Sequence, residues 1–280
     1  AGGGTWADAA SQYNVGIGNY TLDAALNGAL NNVAIGHNAL SGLTSGDNNI
    51  AIGTQVMQSL TTGQGNIVMG HSSGNNMSGA ASQNVAIGHN AGYGISTGQA
   101  NVVLGNTGFA LGTTSNTTLI GYTAGYAINS TDANGTVAVG YQALRRLEDG
   151  QYNTAIGQDA LNANKRNDFN TAVGYRALTA MSASSAGTTG NTAVGSWCGD
   201  SVTTGTFNTL MGQYAGQAIT TGNYNNIIGA QAGFQTTTGG YNIIIGMEAG
   251  YYNNVGNFNV AIGHKAGQYM TGSNNTYLGF

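Results

Sequence analysis

The sequence predicts an all-β fold, a parallel β-solenoid (β-roll) of about sixteen coils with 17-residue repeats. Three observations predict it. The pattern Asn-x-x-(apolar)-Gly, with Thr for Asn at 117 and 136, recurs sixteen times between residues 14 and 279. Nine of the fifteen spacings between its glycines are 17 residues, and the others lie between 16 and 21. The 280 residues include 48 glycines and no proline, and only 6% are charged.

Each element of the coil follows from its residues. The motif reads NVAIG at 32–36, NIAIG at 49–53, NIVMG at 66–70, NTAIG at 153–157, NIIIG at 242–246 and NVAIG at 259–263. Its apolar residues alternate with period two, as in a strand. The glycine that closes each motif is a turn. Alanine stands three residues later in ten of fifteen units, as at Ala39, Ala91, Ala143 and Ala215, usually followed by Gly or Leu. A Thr-Gly turn such as Thr61-Thr62-Gly63 or Thr221-Gly222 leads into the next Asn. The unit therefore reads strand, glycine turn, short second strand, Thr/Gly turn. Seventeen residues are too few for a strand, a helix and two turns, which excludes leucine-rich and α-helical repeats.

Stacking explains the composition. Coils in register at about 4.8 Å give a stack of roughly 75 Å for sixteen. Identical residues then form columns, and a charged column would repel itself. Asn fills the first motif position in fourteen of sixteen units, which predicts an Asn hydrogen-bond ladder. Proline would remove a ladder donor. The chain reads as one repeat domain over 1–280, with an irregular lead-in at 1–13 and repeats over 14–279. The opening Ala1-Gly2-Gly3-Gly4 reads like a processed product or an excised segment.

Composition also excludes function classes. Six basic residues and a net charge of −4 argue against electrostatic nucleic-acid binding. No three-residue glycine period supports collagen, and no apolar run is long enough to insert in a membrane. One cysteine excludes an intrachain disulfide framework.

Both strand faces are apolar. The small central column, mostly Ala, suits a narrow lumen. The residue before each landmark glycine is apolar in all sixteen units: Ile17, Ile35, Ile52, Met69, Ile87, Leu104, Ile120, Val139, Ile156, Val173, Val194, Met211, Ile228, Ile245, Ile262 and Leu278. Strands of this kind are covered on both sides. The large column therefore calls for an external partner, most simply another copy of the chain.

The repeat NVAIGxxA followed by a glycine turn resembles the head repeat of trimeric autotransporter adhesins, Asn-Ser-Val-Ala-Ile-Gly-x-x-Ser. It is also similar to the longer repeats of phage tail-fibre and tail-fibre-like surface proteins. The resemblance spans 14–279, with Ala in place of the family's Ser and a longer unit. It implies a left-handed homotrimeric β-roll that displays receptor-binding surfaces, with the sixteen residues above lining the trimer interface.

The candidate ligand surface is aromatic. Tyr152, Phe169, Phe207, Tyr224, Tyr241 and Phe258 each precede a motif Asn, and the last four recur every 17 residues. They are expected to stack into a ladder, either stiffening the coil or offering a strip for sugar rings, with Asn208, Asn225, Asn242 and Asn259 as hydrogen-bond partners. The first half carries Asn31, Asn48, Gly65, Gln83 and Ala100 instead.

Other candidates read as structural. His37, His71, His89 and His264 all follow a landmark glycine and form an exposed polar column, so no metal site is expected. Cys198 occupies the Ala column as a small filler. Charges between Arg145 and Arg176 form a solvated belt. The 21-residue spacing from Gly174 to Gly195 implies an extra loop near Met181–Thr189. No carboxylate pair suits acid–base catalysis, so no catalytic residue and no cofactor is expected. The expected function is an extracellular adhesive or receptor-binding fibre segment, on a virion tail fibre or a bacterial surface, recognising cell-surface glycan. Alternatives are a purely structural shaft, an ice-binding protein or a glycan depolymerase.

Overall fold

The computed structural model describes residues 11–108, 111–128, 133–182 and 187–280. It is a parallel β-solenoid, with one three-residue strand in each coil and no α-helix among the described residues. No helix there is long and apolar enough to cross a membrane. The chain forms two compact units, Ala1–Thr136 and Val137–Phe280. The first holds β1 (Val15–Ile17), β2 (Val33–Ile35), β3 (Ile50–Ile52), β4 (Ile67–Met69), β5 (Val85–Ile87), β6 (Val102–Leu104) and β7 (Thr118–Ile120).

The second unit holds β8 (Val137–Val139), β9 (Thr154–Ile156), β10 (Asn167–Asp168), β11 (Thr171–Val173), β12 (Gly187–Thr188), β13 (Thr192–Val194), β14 (Thr209–Met211), β15 (Asn226–Ile228), β16 (Ile243–Ile245), β17 (Val260–Ile262) and β18 (Thr276–Leu278). Within each unit successive motif strands pair in parallel, position for position. Val33, Ala34 and Ile35 lie beside Ile50, Ala51 and Ile52, and Ile243, Ile244 and Ile245 beside Val260, Ala261 and Ile262. The expected lead-in already joins the array at its end, where Gln12 bridges Leu30. Residues 1–10 lie outside the described residues.

The Asn column forms a buried ladder. Asn49 donates from its side-chain nitrogen to Asn32 Oδ1 at 3.0 Å and to the Gly63 carbonyl at 2.9 Å. Its own Oδ1 accepts from the Asn66 backbone and side-chain nitrogens at 3.1 and 2.9 Å. One side chain thus ties its coil to both neighbours and to the closing turn. Asp could not donate to that turn, and Ala would leave several buried groups unpaired at about 1–3 kcal/mol each. The column runs from Asn14 to Asn101, where Thr117 takes over by donating to Asn101 Oδ1, and again from Asn153 to Asn275.

The other side of the coil differs from the expected second strand. Apart from β10 with β12 and isolated bridges such as Ile95 with Gly112, it consists of turns joined coil to coil by single backbone bonds. Leu40 N donates to Val56 O and Thr44 N to Thr61 O. The reason is conformational: the second and fourth residues after the landmark glycine are left-handed, as at Asn38 (φ 56°) and Leu40 (φ 49°). A chain that reverses sign twice in three residues is not extended. The landmark glycine itself is obligatory. Gly36 has φ 133°, and a Cβ there would strike the Gly53 carbonyl.

The lumen is filled by complementary volumes. Coils with a central Ala34, Ala51, Ala138, Ala155 or Ala172 carry Leu40, Met57, Leu144, Leu161 or Leu178 at the fourth residue after the landmark, all buried. Coils with the larger Val68, Leu119, Leu210, Ile227 or Ile244 carry Gly74, Gly125, Gly216, Gly233 or Gly250 there. A Cβ on Gly125 would lie 2.7 Å from Leu119 Cδ2 and 2.9 Å from Ile128 Cδ1. Three coils combine Ala with Gly, at Ala86/Gly92, Ala193/Gly199 and Ala261/Gly267; there a Cβ added to the glycine would meet Ile95 at 2.9 Å, Leu210 at 2.7 Å and Tyr277 at 2.8 Å.

This complementarity predicts coupling. Leu119→Ala alone should cost about 2–5 kcal/mol from the cavity. Gly125→Leu alone should be destabilising through overpacking. The double variant should recover most of the loss, as measured by urea unfolding. Additive losses would contradict the shared-volume account.

Candidate functional site

The exposed aromatic column lies in the second unit. Its rings stack as the 17-residue spacing requires. Centroids are 5.3 Å apart for Tyr152–Phe169, 5.2 Å for Phe207–Tyr224, and 4.9 Å for both Tyr224–Tyr241 and Tyr241–Phe258. Planes within these pairs differ by 14–20°. All six rings are exposed, between 43% and 56%. Gly190 occupies the column between Phe169 and Phe207 and divides it into runs of two and four rings.

Every residue of this column is left-handed, from Tyr152 (φ 51°) to Phe258 (φ 56°). The equivalent Asn31 and Asn48 in the first unit share that conformation at φ 57°. Asn and Gly occupy it readily, whereas other residues carry about 1–2 kcal/mol of strain. Aromatic residues are therefore not what the backbone asks for here. Offset stacking, worth about 0.5–1.5 kcal/mol per pair, offsets that strain.

The structure corrects one expectation about this strip. Asn208, Asn225, Asn242 and Asn259 do not face a ligand. They are buried, and their side-chain atoms are engaged in the internal ladder. Two places after each ring stands the first residue of its strand, from Thr154 to Val260, on the same side of the strand as the outward residue before the landmark glycine.

The strands themselves divide as their alternation requires. The central residues Ala34, Ala86, Leu119 and Ile244 are fully buried, while the residues before the landmark glycines point outward. Ile17, Ile52, Ile87, Ile156, Met211, Ile262 and Leu278 are exposed, and Ile35, Leu104, Val173 and Ile228 are half-buried. The outer face of each unit's sheet is thus an apolar stripe.

The remaining candidates fall where structural roles place them. His71 and His89 stack at 5.3 Å, and no cluster of three or more metal-ligating side chains occurs among the described residues. Glu148 meets Arg166 at 3.2 Å and Lys165 at 3.8 Å across coils, in solvent-exposed pairs worth little. Of the expected loop, 183–186 lie outside the described residues. Cys198 is buried, and burial pushes its thiol up to about 12 against the ordinary 9.0, opposed by a backbone hydrogen bond at Val194. Such a thiol is neither a nucleophile nor a metal ligand near neutrality.

Column reasoning missed a second aromatic group. Tyr175 meets Trp197 at 5.2 Å, Trp197 meets Tyr214 at 6.3 Å, and Tyr214 meets Phe234 at 6.1 Å. The contacts continue through Phe234–Tyr251 at 4.9 Å, Tyr251–Tyr252 at 4.6 Å and Tyr252–Tyr269 at 5.0 Å. These residues stand one, two, five or six places after their landmark glycines, so no single column contains them. Two signals were available: the concentration of aromatics after Gly174, and the 17-residue spacing of Trp197–Tyr214, Phe234–Tyr251 and Tyr252–Tyr269; the steps that join these pairs have no such spacing.

Comparison with family models, curated proteins and solved structures finds no match to this chain. The resemblance to adhesin heads and tail fibres therefore rests on the repeat motif.

The thiol supplies a pH prediction. Its folded pKa is raised, so its contribution is fully present below about 9 and is lost as pH rises from there toward 12. The stability advantage of the unaltered chain over Cys198→Ala should shrink across that window in denaturant titrations. Iodoacetamide should alkylate Cys198 at pH 8 only as fast as the coil opens. Alkylation at the rate of a free thiol would contradict the burial.

Proposed function

We propose that the chain is a non-enzymatic segment of an extracellular adhesive or receptor-binding fibre, on a virion or a bacterial surface, acting as a left-handed homotrimer that engages cell-surface glycan. One observation carries the reading. Within each unit a column of large apolar residues faces outward from every motif strand, while the lumen is already full without it. A continuous apolar stripe of this kind marks an interaction surface. Its period matches that of the chain, so a second copy of the same repeat complements it residue for residue. Handedness and the number three come from the adhesin-head resemblance. The reading calls for no cofactor, metal, nucleic acid or membrane insertion.

The aromatic ladder supports glycan as the ligand. Its rings are exposed at a position where the backbone prefers Asn or Gly, and flat aromatic faces match the C–H faces of pyranose rings. Weak contacts repeated along coils and across three chains would add by multivalency. A second reading, a purely structural shaft, is favoured by the ladder's place beside the outer sheet face, where a neighbouring copy could cover it.

Native mass spectrometry of the unaltered protein should show three copies of the 28.2 kDa chain. Ile87→Asp with Ile156→Asp should dissociate or unfold it, since buried unpaired charge is costly. A stable, soluble monomer of the unaltered chain sinks the trimer. For the ladder, Tyr224→Ala with Tyr241→Ala should abolish cell binding at an unchanged Tm. A large fall in Tm with binding per folded protein intact makes the ladder structural.

A further inference from the structure

We infer that the second aromatic group, from Tyr175 to Tyr269, is a separate binding surface for a neutral oligosaccharide chain. This rests on the proposed function in one respect: a face on the turn side of the coil stays open when copies cover the strand face. The group crosses six successive coils, from that of Gly174 to that of Gly263. It also steps sideways, from the first residue after the landmark to the sixth. Trp197–Tyr214, Phe234–Tyr251 and Tyr252–Tyr269 are in-register stacks, and the edge-on contacts Tyr175–Trp197, Tyr214–Phe234 and Tyr251–Tyr252 join them across columns, so the rings form a diagonal band over the coils rather than one ladder. The lumen does not need these rings. Its columns close on Ala177, Cys198, Ala215, Ala232, Ala249 and Ala266.

Charge and polarity select the ligand class. Arg176 lies 4.3 Å over the Trp197 ring and pairs with Asp200 at 3.2 Å. Lys265 pairs with Glu248 at 3.7 Å, and Gln268 donates to the same carboxylate. The formal charges along the strip are thus matched, which gives an acidic or basic polymer no net partner. Gln213, Gln217, Gln231 and Gln235 occupy turn positions among the rings. Aromatic faces alternating with amides complement a chain of pyranoses, whose C–H faces alternate with hydroxyl groups. An apolar protein surface would strip water from those amides without replacing it.

The strip also has an end. A cleft of about 90 Å³ is lined by Tyr252, Asn253, Asn254, Val255, Met270 and Thr271. Asn253 is fully buried, and neither its side-chain nitrogen nor its oxygen has a hydrogen-bond partner. Most coils place Leu, Ile, Val or Met at its position, as at Leu147, Val202, Ile219 and Met270. That amide is turned into the coil, toward Gly256, so the groups the cleft offers a terminal sugar are the exposed Tyr252, Asn254 and Thr271.

Trp197 makes the test local. The sequence has two tryptophans, so Trp6→Phe leaves Trp197 as the only indole reporter. Cello-, xylo-, malto-, manno- and chitohexaose are titrated into that variant, with heparin as the charged control. At least one hexaose should shift Trp197 emission saturably and heparin should not. Tyr252→Ala with Tyr269→Ala, both at exposed positions, should weaken that binding by about tenfold or more at an unchanged Tm. Tyr224→Ala with Tyr241→Ala should leave the Trp197 signal unchanged. Silence of Trp197 toward every hexaose overturns the inference. Calorimetric binding that is silent at Trp197 and lost only in the Tyr224/Tyr241 variant also overturns it, and leaves the ladder reading standing. Binding at Trp197 by a protein that proves monomeric supports the inference while sinking the trimer.

Discussion

The structure depends on in-register hydrogen bonding between coils, and the buried Asn column is where that constraint is tightest. An Asn of this column accepts from its neighbour's backbone and side-chain nitrogens and donates to its own turn, as Asn225 does with Asn242 and Gly239. A slip of one residue would break all of these bonds at once. Three-residue strands contribute few ladder bonds of their own, so register is set largely by this column. The uniform strand length, the invariant landmark glycine and the absence of proline all follow from keeping that register through successive coils.

Register then decides where chemistry can be placed. Inside, most coils fill the lumen with either Ala and a large aliphatic residue or a large aliphatic residue and Gly. The Asn side chains are consumed by the ladder and are not available at the surface. Outside, two kinds of position remain: the outer strand face, apolar before each landmark glycine and mixed Val, Ile, Thr and Asn at the first strand residue, and the outward-facing turn positions, whose side chains vary widely. Recognition in such a fold belongs to the turns and to the left-handed positions flanking the strand, because substitutions there leave the ladder untouched. The aromatic residues of the second unit occupy both.

The left-handed positions also explain why a short second strand does not form. Extended backbone on both sides would require negative φ throughout. The coil instead turns continuously, through Asn38 and Leu40 in one unit and Arg176 and Leu178 in the other. The inter-coil bonds survive because they need only carbonyls and amides to align along the stack, not a full strand.

The sequence by itself determined everything that repeats at one-coil spacing. Stacking in register places residue i beside residue i + 17, so periodicity reads directly as contact. The coil count, the parallel pairing, the Asn ladder, the inward Ala and outward Ile columns and the ring stack from Phe207 to Phe258 were legible for that reason. The tertiary structure alone decided what depends on backbone sign and side-chain direction across columns. It made the second side a run of turns, turned Asn208 and its equivalents inward, and matched Leu119 to Gly125 through shared volume. It also joined Tyr175 to Tyr269 by steps that change column at nearly every second coil. Spacing alone does not reveal those relations, because they arise from where each left-handed residue aims its side chain rather than from how far apart the residues lie in the chain.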